Sequence, residues 1–201
     1  MSIKVPVSLK PFLAVVLAAI IFILSFFYVK TQIQKNYKNT EPARLSNKSQ
    51  SQELSPGLPV RLEIPSIAVN SFVQNVGVTP AGVMGVPSNT VDVGWFDIGP
   101  RPGEPGNSVF AGHFDGEHGE AGVFRNLYKL KPGDQIYVED AQSETTTFVV
   151  RDSKLYDPGY AADVFNSSKG IHLSLITCDG VWNGVVKSYS KRLVVFADIV
   201  N

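Results

Sequence analysis

A single cysteine occurs in 201 residues, Cys178 in the stretch LITCDG (175–180). It ends an apolar run and precedes Asp179 and Gly180, so it is expected where a strand gives way to a loop, and catalytic groups concentrate at such junctions. A thiol attacks only as thiolate, which needs a neighbour that lowers its pKa or takes its proton; near neutral pH that neighbour is usually histidine. Of the three histidines, His113 closes the run NSVFAGH and precedes FDG, a junction of the same kind. His118 lies in the polar loop GEHGE and reads as solvated, and His172 lies inside a strand pattern and reads as structural. His113 is therefore the candidate proton carrier. Attack on an amide also builds charge on the carbonyl oxygen, which calls for a fixed donor. Arg192 is the only arginine after Cys178. It opens RLVVFADIV and would lie beside the cysteine if the two strands pair antiparallel. Taken singly, Cys178 reads as an inert buried thiol and Arg192 as a surface cation.

The elements that must position these groups are short and apolar, separated by Gly, Pro, Asn and Asp, with no long 3.6-residue period. Strands are expected at 60–64, 71–78, 107–113, 135–140, 145–156, 171–178 and 192–200, rich in β-branched and aromatic residues. TPAG (79–82), GPRPGEPGN (99–107) and KPGD (131–134) read as turns, and short helical turns are expected within 121–130 and 160–166. The fold class is all-β, and the pattern leaves a barrel and a sandwich both open. One cysteine excludes an internal disulfide and a cysteine-rich zinc site.

Three regions follow from composition. Residues 1–30 contain FLAVVLAAIIFILSFFYV (12–29), which as a helix would measure about 27 Å, close to a bilayer's hydrocarbon thickness. No small-residue cleavage site follows it, so a retained transmembrane anchor is expected. Residues 31–57 are polar and read as a flexible stalk. Residues 58–201 are long enough for one domain with a sizeable core. Lys4 and Lys10 precede the apolar run while Lys30, Lys35, Lys38 and Arg44 follow it, so flanking charge does not by itself orient the chain. The first 57 residues carry seven Lys/Arg against two Asp/Glu and the rest carry eleven against sixteen, which speaks against a nucleic-acid partner for the folded part.

The chain resembles the sortases, membrane-anchored cysteine transpeptidases of the bacterial cell surface. The resemblance rests on SLITC (174–178), AGHFDG (111–116) and RLVVFA (192–197), with His113 standing 65 residues before Cys178 and Arg192 14 after it. It covers about residues 58–201. Residues 76–115, and WFDIGPRPGEPGN (95–107) above all, are similar to class F and class E sortases, while SYSKRLVVFA places its arginine as other classes do. The resemblance implies an eight-stranded β-barrel with short helices. It implies that the Cys178 thiolate attacks the Thr carbonyl of an LPXTG-type sorting signal, that His113 as imidazolium protonates the leaving Gly amine, that Arg192 stabilises the oxyanion, and that Thr177 lines the substrate site. A cell-wall or pilin amine then resolves the thioacyl enzyme. The acyl bond is conserved throughout, so neither cofactor nor metal is implied, although Glu144, Asp157 and Asp163 are acids of the kind some members use for calcium. The catalytic domain is expected outside the cell. A tethered β-domain that binds a partner without chemistry, and a hydrolase of the same fold that passes the acyl group to water, are the alternatives.

Overall fold

The computed structural model describes residues 23–25, 27, 28, 30, 31, 55–159, 162–165 and 169–200, and the chain divides into two compact units, Met1–Glu53 and Leu54–Asn201. The described residues of the first unit are helical, with Ile23, Leu24, Phe27 and Tyr28 exposed. Most of the expected membrane span at 12–29 lies outside the described residues. Among those described, no helix is long and apolar enough to cross a membrane.

The second unit is built from eight strands: β1 (Pro59–Ile64), β2 (Val69–Val76), β3 (Val93–Phe96), β4 (Gly106–Ala111), β5 (Gln135–Asp140), β6 (Thr145–Tyr156), β7 (Ile171–Asn183) and β8 (Ser188–Ile199). They close into a barrel in the order β1-β2-β3-β4-β7-β8-β6-β5, so a barrel and not a sandwich resolves the choice left open by pattern. Two neighbouring pairs are parallel, β2 with β3 and β4 with β7. The others are antiparallel.

Alternation along the strands explains the closure. Leu62 and Ile64, Ile136 and Val138, Phe148 and Val150, Leu173 and Leu175, and Leu193, Val195 and Ala197 are buried in one cluster with Trp95 and Phe110. These are every-second-residue sets, which a pleated strand sends to one face. Burying each large side chain contributes about 1.5–3 kcal/mol. A second cluster lies on the other face of the sheet, where Val109, Val194 and Phe196 pack with Val164 of the short helix Ala162–Phe165. Every residue of β4 is consequently buried, since both of its faces are covered.

Several boundaries differ from those expected. β3 falls where no strand was expected, because four residues with Gly94 among them are too few to show a period; pairing of Val73 with Val93 and of Trp95 with Phe110 makes it a strand. β2 begins and ends two residues earlier than read, and β7 and β8 continue beyond Cys178 and before Arg192 as one long hairpin. The KPGD turn forms, with Gly133 at φ 99° and the Asp134 N–H donating to Lys131 O at 3.0 Å. A 3₁₀ turn occupies Leu127–Lys129 within the expected helical stretch.

Asp140, at the end of β5, accepts N–H donors from Gly57 (2.7 Å), Gln142 (2.8 Å) and Glu144 (3.0 Å). Burial works to raise its pKa, but these donors outweigh it and hold the carboxyl below its ordinary value. The ionised form is therefore the one that stabilises the fold. That contribution is complete above the unfolded carboxyl pKa of about 3.9 and is lost as pH falls through the lower folded value. Asp140→Ala is expected to cost about 1.5–3 kcal/mol at pH 7, and urea midpoints should show its gap to wild type narrowing below pH 4.

Candidate active site

The parallel pairing of β4 with β7 decides where the site lies. Ala111 is in register with Ile176, the Gly112 N–H donates to Ile176 O at 3.0 Å, and the next residues on each strand lead to His113 and Cys178. Parallel neighbours end at the same edge of a sheet, so both junctions open at one mouth of the barrel. On the other side of β7, the antiparallel register sets Cys178 directly opposite Arg192. One strand thus carries the thiol, with the imidazole at the end of its parallel neighbour and the guanidinium on its antiparallel one.

Strand parity places Cys178 and Arg192 on the same face, and His113 follows the end of β4, whose Val109 and Ala111 lie on that face. Leu173 and Leu175 point into the barrel, so Ile176 and Cys178 point outward; Val109 and Ala111 share parity with His113, and Val194 and Phe196 with Arg192. Cys178 and Arg192 stand one pair beyond Ile176 and Val194 in the β7–β8 register, and Ile176 and Val194 pack in the second cluster with Met84, Phe96, Tyr156 and Phe165.

Each group is held by partners specific to this fold. Nε2 of His113 lies 2.9 Å from Pro87 O. A carbonyl only accepts, so Nε2 carries the hydrogen and Nδ1 is the nitrogen left to exchange a proton. Gly122 lets the His113 loop close, because a Cβ there would lie 2.2 Å from His113 O. Nη1 of Arg192 donates to Tyr189 O (3.0 Å) and Lys191 O (2.8 Å), and Nη2 donates to Ser188 Oγ (3.1 Å). These bonds fix the guanidinium on its own strand while leaving N–H donors for a substrate oxygen. Next to His113, Asp115 accepts a hydrogen bond from the Tyr189 hydroxyl, and the Tyr189 ring meets Phe114 edge-on at 5.5 Å. The bond to Asp115 is the main reason the phenol's pKa is pushed up to about 12. The histidine loop and the arginine strand are thereby tied together by a contact that residue types and spacing did not reveal.

Cys178 is free and partly buried. Burial pushes its thiol above its ordinary pKa; the positive charge of Arg192 opposes this and the negative charge of Asp115 adds to it. Alkylation by iodoacetamide should therefore rise with pH to a midpoint above the ordinary thiol range. Arg192→Gln should move that midpoint further up and Asp115→Asn should move it down, as read from rate against pH.

Thr177 was expected to line the substrate site. Its side chain is instead 3% exposed, shares parity with the barrel interior, and donates from Oγ1 to Gly112 O at 2.8 Å. In this structure it holds the backbone that precedes His113. His118 is exposed in its loop. His172 lies on β7 far from the mouth, with Nδ1 2.6 Å from Asp198 Oδ1 and Nε2 2.6 Å from Lys169 O. Among the described residues, no group of three or more His, Cys, Asp or Glu side chains gathers closely enough to hold a metal ion.

The family model for the Sortase domain matches residues 62–200. Among solved structures, sortase C-1 from Actinomyces oris is 26% identical, with a TM-score of 0.57, covering 76% of this chain and 78% of that one. Sortase C1 from Streptococcus agalactiae is 22% identical (TM-score 0.55; 71% and 67% covered), and sortase A from Corynebacterium diphtheriae is 23% identical (TM-score 0.54; 73% and 62% covered). The last two likenesses speak to the fold alone. No curated protein sequence matches the chain.

Proposed function

Because the chain belongs to the sortase family, we propose that it is a cysteine transpeptidase that cuts an LPXTG-type sorting signal between Thr and Gly and transfers the new acyl end to an amine. The observation that carries this reading is the meeting of two strand registers, β4 with β7 and β7 with β8, which puts Cys178 between the strands of His113 and Arg192.

In the first half-reaction the Cys178 sulfur bonds to the Thr carbonyl carbon, and the carbonyl oxygen takes up negative charge opposite the Arg192 guanidinium. As the tetrahedral species collapses, the C–N bond breaks and His113 gives the departing Gly nitrogen its proton, leaving a thioester on Cys178. In the second, an amine of a cell-wall precursor or a pilin attacks that thioester, His113 takes the amine's proton, and Cys178 leaves as thiolate. One amide is broken and one is formed, so the reaction needs no external energy source. A raised thiol pKa keeps most of the enzyme in the unreactive thiol form at neutral pH, which limits the active fraction and protects the sulfur from oxidants. We further propose that residues 12–29 anchor the protein in the bacterial membrane, with residues 31–57 as a stalk and the catalytic domain outside the cell.

The test is to incubate the chain with LPXTG-type peptides and candidate amines and to read the products by mass spectrometry against Cys178→Ala. The expected product is an amine-linked peptide from wild type alone. Cleavage without amine linkage, whatever amine is added, would make it a hydrolase. Identical spectra from wild type and variant across the peptide set would overturn the enzyme reading.

A further inference from the structure

The β7–β8 hairpin runs past the active site and ends in an apolar tip. Val181, Trp182, Val185 and Val186 are 75%, 52%, 93% and 67% exposed, and no acidic residue occurs from 180 to 190. From this we propose that the tip docks into the surface of a lipid bilayer.

Three features favour lipid over a protein partner. Val181 and Trp182 are consecutive on β7 and leave opposite faces of the hairpin, while Val185 and Val186 cap its turn. A protein surface would cover one face; immersion in an apolar medium buries every one. The turn has also satisfied two of the backbone donors that would suffer there, since Asn183 Oδ1 accepts from the N–H of Val185 (2.9 Å) and of Val186 (3.3 Å). Finally, the side chains are those of an interfacial segment. Trp182 offers an amphipathic ring of the type enriched at the headgroup level, and exposed Lys187 closes the turn with a chain long enough to keep its ammonium among the headgroups.

The apolar run at 12–29, proposed above as an anchor, supplies the bilayer. The residues between Thr31 and the barrel unit, which begins at Leu54, can span about 75 Å when extended, so the tether does not restrict which end of the barrel meets lipid. Asn183 lies five residues beyond Cys178, about 17 Å along the strand. A tip immersed by about 5–10 Å would hold the thiol roughly 10 Å outside the headgroups. The enzyme would then act on substrates that are themselves membrane-held, close to where they leave the bilayer. That consequence rests on the transpeptidase reading; the docking itself does not.

The chain contains two tryptophans, and Trp95 is 2% exposed with its indole N–H donated to Pro100 O. Trp182 is therefore a reporter at the tip. The full chain would be placed in nanodiscs of phosphatidylcholine and phosphatidylglycerol, with plain or brominated acyl chains. Bromine should quench Trp182 emission about twofold, Trp182→Phe should leave only the unquenched Trp95 signal, and Val185→Asp/Val186→Asp should abolish quenching. Equal emission from wild type in both lipids would overturn the proposal, as would quenching that persists in the double variant. Shielding of Trp182 from aqueous iodide without bromine quenching would mean that a second copy covers the tip, and would overturn it too. No turnover is measured, so these outcomes are independent of whether the catalytic reading stands.

Discussion

Cys178→Ala is expected to lower turnover of an LPXTG-type peptide by more than about a thousandfold, because the variant has no group able to form the acyl intermediate. The chain has no second thiol to substitute for it. The fold should survive, since Cys178 sits at the barrel mouth, only partly buried and outside the buried clusters, and the loss should therefore appear in kcat with little change in the urea midpoint. Mass spectrometry supplies the second readout. Wild type incubated with peptide and no amine should gain the mass of the acyl fragment, and the variant should gain nothing. An adduct on the variant would place the nucleophile elsewhere.

His113→Ala is expected to cost about 10²- to 10⁴-fold, the usual worth of a positioned general acid. The leaving group is an amine, which departs poorly unless protonated. In the structure the ring is oriented by its contact with Pro87 O, so that Nδ1 is free for that proton. Cys178 in the variant should still react with iodoacetamide, because its thiol pKa is shifted by burial, Arg192 and Asp115. A thiol that alkylates but no longer acylates would separate proton delivery from nucleophilicity. His118→Ala should leave activity within about twofold, as substitutions at exposed loop positions usually do. A large loss in that variant and none in His113→Ala would place the acid at His118 and overturn the assignment to His113.

Much of this protein was legible in the sequence, because the relevant physics is local. Alternating apolar residues bounded by Gly and Pro mark strands whatever lies beside them, and seven of the eight strands were expected, five of them within two residues of their bounds. β3 was not legible. A four-residue strand has too little length to show a period, and it exists because β2 and β4 offer it ladders on both sides. The long β7–β8 hairpin escaped as well: VWNGVVKS (181–188) shows no sustained alternation, and the pairing of Asn183 with Ser188 is what makes the segment a hairpin.

The sequence by itself determined the residue types and their strand-end positions: one thiol, one histidine and one arginine at junctions, together with the motif order that resembles sortases. It could not determine what they face. Tertiary structure decided that β4 and β7 run parallel as neighbours, that Cys178 pairs with Arg192, and that Thr177 turns inward to hold Gly112 while Tyr189 binds Asp115. The physical reason is that strand register is set by contacts between segments far apart in the chain, Pro59 with Asp140 among them, and a shift of one residue sends a side chain to the opposite face. Local sequence carries the period of two; only the closed barrel supplies its phase.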